Sequence, residues 1–259
     1  MFNKLATSVA FGLLSIATAH AFDPLVIERA KSLGECEHCD FVSADLKGVD
    51  LKGIKLDESN FTGADLSAAA IDDCGECNFT GANLTGAQMD GASLDEAIFD
   101  TADMRSAHCS GAYIHHAKFV GANLSGADMR KVNVEKGNFS QANLTNANFS
   151  GAKLKYANLG GAVLRGTNFS FADLSATDLG SLDLEGANFR GATFNGTLLR
   201  DAKLKGADFT GADLRQSRFH SVSIYDTATN RLGESFDPVR CADLQEAGAL
   251  FDATTKCGK

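Results

Sequence analysis

The residues best equipped for chemistry in this 259-residue chain are its cysteines and a short run of histidines. Cys36-Glu37-His38-Cys39 and Cys74-Gly75-Glu76-Cys77 are two Cys-x-x-Cys pairs, which suit a four-sulfur zinc site, a c-type haem attachment or two local disulfides. Haem attachment needs His after the second Cys; Asp40 and Asn78 stand there instead, so that chemistry is excluded. His115 and His116, with His108 shortly before them, form the second group, and imidazoles beside carboxylates suit a divalent metal. No G-x-S-x-G, H-E-x-x-H or phosphate-cradling glycine loop is present. The serines and threonines cluster at turn-like positions rather than with a base.

What must hold these residues is a strict period. From Phe79 every fifth residue is apolar (Leu84, Met89, Leu94, Phe99, Met104, Cys109, Ile114) without a slip to Phe219 and Ile224. The residue two before each centre is usually Ala, the one just before is often Asn or Asp, and Gly is frequent two after. A helix buries residues at spacings of three and four and a strand at two, so a period of five fits neither. It fits a solenoid of short strand segments joined by tight turns, each unit buried by its neighbours.

The units Ala82-Asn83-Leu84, Ala127-Asp128-Met129 and Ala142-Asn143-Leu144 resemble those of the pentapeptide-repeat proteins, and the resemblance covers roughly residues 36–225. It implies an all-β solenoid, a right-handed quadrilateral β-helix with four pentapeptides per 20-residue coil. The sequence supports that coil independently. Phe79, Phe99, Phe119 and Phe139 recur at twenty, and Phe149, Phe169, Phe189 and Phe209 do so half a coil out of phase. Two aromatic columns on opposite walls are therefore expected, exchanging near residues 140–150.

An earlier block (Phe41, Leu46, Leu51, Leu56, Phe61, Leu66, Ile71) has a different frame, because Ile71 and Phe79 are eight apart. The column Phe41, Phe61, Phe79, Phe99 keeps one wall if a single coil is two residues short. One continuous helix with an irregularity at 72–78 is expected.

On such a rod the two Cys pairs lie two coils apart, roughly 9–10 Å by strand spacing. Four sulfurs at about 2.3 Å from one zinc do not fit. Each pair spans one tight turn, within reach of a disulfide. Disulfides Cys36–Cys39 and Cys74–Cys77 are expected, with Cys241 and Cys257 closing the C-terminal end and Cys109 a buried hydrophobe. Stacking by twenty puts Asp95, His115 and Glu135 in one outward column, with Glu96, His116 and Lys136 beside it. The column suits weak metal binding, and equally solvated side chains pairing with one another, the commoner arrangement. No catalytic residue, cofactor or metal site is assigned.

Residues 1–21 read as a cleaved secretory signal, with Lys4, a short apolar run and Ala19-His20-Ala21 before the cut. The run is shorter than the roughly 20 residues of a membrane span, and the mature form has no transmembrane segment. The protein is expected in the periplasm or outside the cell. Phe22-Asp23-Pro24 and Phe236-Asp237-Pro238 both read as helix starts, giving a helical cap at 22–35 and a C-terminal cap with a helix at 226–259.

The chain carries 24 basic and 33 acidic residues, a net −9; loss of Lys4 with the leader makes it −10. This balance disfavours nucleic acid and anionic surfaces as partners. The resemblance also implies DNA-mimicking gyrase inhibitors. Export removes the chain from gyrase, and −10 falls far short of the roughly 27 charges DNA carries over a 45 Å rod. The reading is a non-catalytic exported scaffold with an unknown protein partner; the C-terminal segment either caps its own coil or pairs with a second copy as a homodimer.

Overall fold

The computed structural model describes residues 25–226, 231–238, 244–245, 249–250, 253 and 255–257. Its main body is one climbing coil. Parallel bridges join each residue before a centre to the residue twenty further on: Ser93 to Tyr113, Tyr113 to Asn133, Asn133 to Lys153. Four turns close each coil. In each, the amide three residues past the centre donates to the centre's own carbonyl, as Ala82 N does to Phe79 O at 3.0 Å. The third turn residue has positive φ in the turns from His38 to Gly211, +66° at Gly81 and +60° at Glu96. That sign at the third position belongs to type II turns and explains the recurrent glycine.

The Asn or Asp before each centre has its own task. Its side-chain oxygen accepts the amide two residues on, as Asn78 Oδ1 does from Thr80 and Asn83 Oδ1 from Thr85, satisfying a turn N–H that points away from the ladder.

Centres and small residues fill the axis. The repeat centres from Phe41 to Leu214 and nearly all of the alanines two residues before them are buried. The rings of Phe41, Phe61, Phe79, Phe99, Phe119 and Phe139 stack with centroids 4.6 to 5.0 Å apart. Phe139 then meets Phe149 edge-on, 5.8 Å away and at 87°, and the ladder continues through Phe169, Phe189 and Phe209 on the other wall. Burial of each such ring contributes roughly 1.5–3 kcal/mol, with a further contribution from offset stacking.

One coil is short. Asn60 pairs with Asn78, Asp65 with Asn83 and Ala70 with Gln88, each eighteen residues on rather than twenty. The shortening falls between Ile71 and Cys74, where a whole turn is missing, and the Phe column runs through it unbroken.

A helix, α1 (Leu25–Leu33), leads into the first coil and buries Ile27 and Ala30 against it. Gly34, at φ +72°, ends it with an amide bond to Ala30 O at 2.8 Å, a left-handed C-cap. The expected leader and the Asp23-Pro24 helix start lie outside the described residues.

The C-terminal end departs from expectation. Phe219 and Ile224 are not repeat centres: they belong to β1 (Arg218–Asp226), which pairs antiparallel with β2 (Arg231–Pro238). The physical reason is a change of period. His220-Ser221-Val222-Ser223-Ile224 alternates at two, with β-branched residues and no turn glycine, so a long strand replaces short segments. Asp237 and Pro238 lie in β2 and do not start a helix; the helix expected beyond them falls almost wholly outside the described residues. The coil itself resumes after the hairpin: Phe209 N donates to Leu250 O at 2.7 Å and Leu214 N to Lys256 O at 2.8 Å. The hairpin is an excursion from the last coil.

Candidate functional site

The cysteine corners lie at the N-terminal end. Cys36, Leu56 and Cys74 occupy successive levels of one column, with Cys36 N donating to Lys55 O and Leu56 N to Asp73 O. Each pair spans a turn, Cys36 with Cys39 and Cys74 with Cys77, with Cα atoms 5.5 Å apart in both. The leucine level between them keeps four sulfurs from converging. Ser59, buried in an alanine position, ties the first pair down: its hydroxyl donates to Cys36 O at 2.8 Å and accepts the Cys39 amide at 3.0 Å. Sequence reasoning missed that role; the signal was a hydroxyl where the frame calls for alanine. Cys241 lies outside the described residues, so its pairing with Cys257 is not described.

Cys109 is a fully buried centre with a free thiol, and burial, with Asp90 and Asp128 nearby, pushes its pKa far up. It is no nucleophile.

The histidines separate onto two walls. His108 stacks between Gln88 and Asp128, whereas His115 and His116 stand one wall on. His115 Nδ1 lies 3.1 Å from Asp95 Oδ1, and the same oxygen accepts the His115 main-chain amide at 3.0 Å. That second bond explains the first. Tyr113, preceding this turn's centre, carries no side-chain oxygen near enough to serve the His115 amide, so an aspartate one coil below serves it. Asp90 does the same for Ser110 at 2.7 Å and Asp100 for Val120 at 2.8 Å. Three consecutive turns lacking their own Asn or Asp are completed from the coil beneath. Asp95 is therefore part of a turn. Glu135 meets the histidines only through its carbonyl, which accepts the His116 amide at 3.1 Å. Among the described residues no three His, Cys, Asp or Glu side chains come together as a metal would need.

Several arginines elsewhere are paired locally. Arg105, Arg130 and Arg215 each grip the aspartate two residues before them at 2.6 Å, and each hydrogen bond holds that carboxyl below its usual range. Asp73, at the short coil, is shifted the other way by burial and by Asp57 and Asp72. Among the described residues, concave surface includes a depression lined by α1 and the first coil around Leu25, Leu33 and His38, and another at the short coil around Lys55, Asp72 and Asp73. No helix among the described residues is long and apolar enough to cross a membrane.

Solved structures similar to this chain are pentapeptide-repeat proteins. HetL, involved in heterocyst differentiation regulation in the cyanobacterium Nostoc sp. strain PCC 7120, is 27% identical over 69% of this chain and 86% of its own, with a TM-score of 0.32. A protein of the Arabidopsis thaliana thylakoid lumen is 25% identical over 53% of this chain and 84% of its own, with a TM-score of 0.40. QnrB1, a plasmid-mediated fluoroquinolone resistance protein, is 20% identical over 85% of this chain and 90% of its own, with a TM-score of 0.35. Comparison with curated protein sequences finds no match. The family model "Pentapeptide repeats" matches in eight copies, within residues 39–74, 73–108, 107–146, 142–180 and 183–220. With most of its length in that frame, the chain belongs to the pentapeptide-repeat family.

Proposed function

We propose that this chain is a non-catalytic, exported pentapeptide-repeat protein that works as a protein-interaction or structural scaffold of the cell envelope. The observation that carries the reading is the filled axis: large and small side chains occupy the interior from Phe41 to Leu214, which leaves the outer walls as the working surface. Catalysis needs groups gathered in a cleft, and the titratable residues here are spread along flat faces or tied into turns.

Export rests on the leader-like residues 1–21 and on two cysteine pairs set across turns, which an oxidising compartment would close. The parallel crossovers favour a right-handed coil, the hand of nearly all such connections. Capping by α1 and a C-terminal helix completes the proposed architecture.

The test is isolation of the mature protein from a periplasmic fraction, followed by capture of a specific partner on the folded rod. Retention in the cytoplasm with residues 1–21 attached, or a measurable hydrolytic turnover, would overturn the reading. Metal binding at His115 and His116, and gyrase inhibition, are lesser readings; heat on titration with zinc, or lost supercoiling activity, would raise them.

A further inference from the structure

The wall that carries Tyr113 is divided by charge. Its corner column runs Glu58, Glu76, Glu96, then His116, then Lys136 and Tyr156, each fixed by an amide bond from one level to the carbonyl of the next (Glu96 N to His115 O, Lys136 N to Lys155 O). Levels below Tyr113 are acidic and the two levels above it are basic. Across residues 118–155 only Asp128 and Glu135 are acidic, in a chain of net −9. Asp128 is already paired with Arg130, whereas Lys131, Lys136 and Lys153 have no ion pair among the described residues. Tyr113, 57% exposed, sits at the change of sign, with Tyr156 and Phe171 exposed on the basic side.

We propose that this wall is the interface of an antiparallel homodimer, a second copy packing face to face about a two-fold axis through the Tyr113 level. Such an axis lies along the strand direction. It keeps each column opposite itself and sets each level opposite its mirror across Tyr113. Two levels of bridges on either side then oppose Ser93 to Asn133 and Asp73 to Lys153. Glu96 meets Lys136, Asp90 meets Arg130, and Lys55 meets Asp173, each twice by symmetry. Tyr113 meets its own copy. Asp95 and Glu135 are the one like-charged pair, and Asp95 is held by His115. A wall that complements itself on turning over is what an isologous interface requires. A specific interface needs about 1,000 Å² in total, so the contact uses most of one wall and is held largely by charge.

The proposal rests on the walls being interaction surfaces, and its test separates the two. Sedimentation equilibrium of the mature protein at low salt is expected to give a dimer that dissociates as salt is raised. Lys136→Glu or Glu96→Lys alone weakens it by about tenfold or more, and the two together restore it. Tyr113→Cys is expected to cross-link to its own copy with a short bismaleimide, and Ser93→Cys is not. Both lie in outward positions of the coil, and circular dichroism checks that each variant folds. A monomer at low salt, or a dimer indifferent to both reversals, overturns the pairing. A monomer that captures an acidic peptide through Lys136 also overturns it, and leaves the scaffold reading standing.

Discussion

Asp72 accepts the main-chain amide of Gly53 through its carboxylate, at 2.9 and 3.1 Å, where the preceding turn gives the Gly48 amide to the carbonyl of Ser67. A side chain has taken over the bond of a turn that the short coil lacks. Asp72→Ala should then cost about 1 kcal/mol, the range of a hydrogen bond to a charged acceptor reduced by exposure. Asp72→Asn, which keeps one oxygen, should lose less. Urea denaturation of the three proteins decides it, and an alanine variant as stable as the parent refutes the assignment.

The axis should be the least tolerant part of the molecule. Phe119 stacks between Phe99 and Phe139, at 4.9 and 4.6 Å, and Phe119→Ala should cost roughly 3–5 kcal/mol. Leu164→Asp, at a fully buried centre, should be worse, because the carboxylate has no partner there. Thermal unfolding of both, against a substitution at exposed Lys153, measures the difference.

Alanine positions that hold something else should respond individually. Thr177 and Thr197 both donate to the carbonyl of Leu174, at 2.6 and 2.7 Å, so Thr197→Val should cost about 1 kcal/mol despite its matching shape. At Gly137 a Cβ would lie 2.6 Å from Val134 Cγ2, and Gly137→Ala should cost about 1–3 kcal/mol through overpacking. Elsewhere the same position welcomes alanine; denaturant midpoints would expose a Gly137 variant that is neutral.

Acid sensitivity should carry two signs. Asp103, Asp128 and Asp213 are held below the ordinary 3.8 by hydrogen bonds from Arg105, Arg130 and Arg215, so their contribution is present at neutral pH and is lost as pH falls below 3.8. Replacing the three arginines with glutamine should lower stability slightly at neutral pH and have no effect in strong acid. Asp73 is raised by burial, then by Asp57 and Asp72, so its contribution is present in acid and lost as pH rises past 3.8. Asp73→Asn should therefore be more stable than the parent at neutral pH and equal to it below pH 3.8. Chemical denaturation across pH reads both.

The protein isolated without reductant should show no reactive thiol when folded and a single one, Cys109, when unfolded. Burial hides that thiol and keeps it protonated. Quantifying thiols with a chromogenic disulfide tests this; more than one on unfolding would mean that Cys36–Cys39, Cys74–Cys77 or Cys241–Cys257 is open.

The five-residue frame by itself determined the coil, its Phe ladders, the change of wall near Phe139 and Phe149, and the coil shortened by two. Each follows from local chemistry repeated until only one stacking puts every large side chain on the axis. Tertiary structure alone decided what happens where the frame lapses. Nothing local says that Asp95 answers for an amide twenty residues away, that Ser59 braces Cys36 and Cys39, or that the chain leaves the coil at Arg218 and returns at Leu250. Those bonds depend on which residue the stack places beneath a given turn. That is a property of the closed coil, because a turn amide without its own acceptor takes whichever oxygen the next level offers.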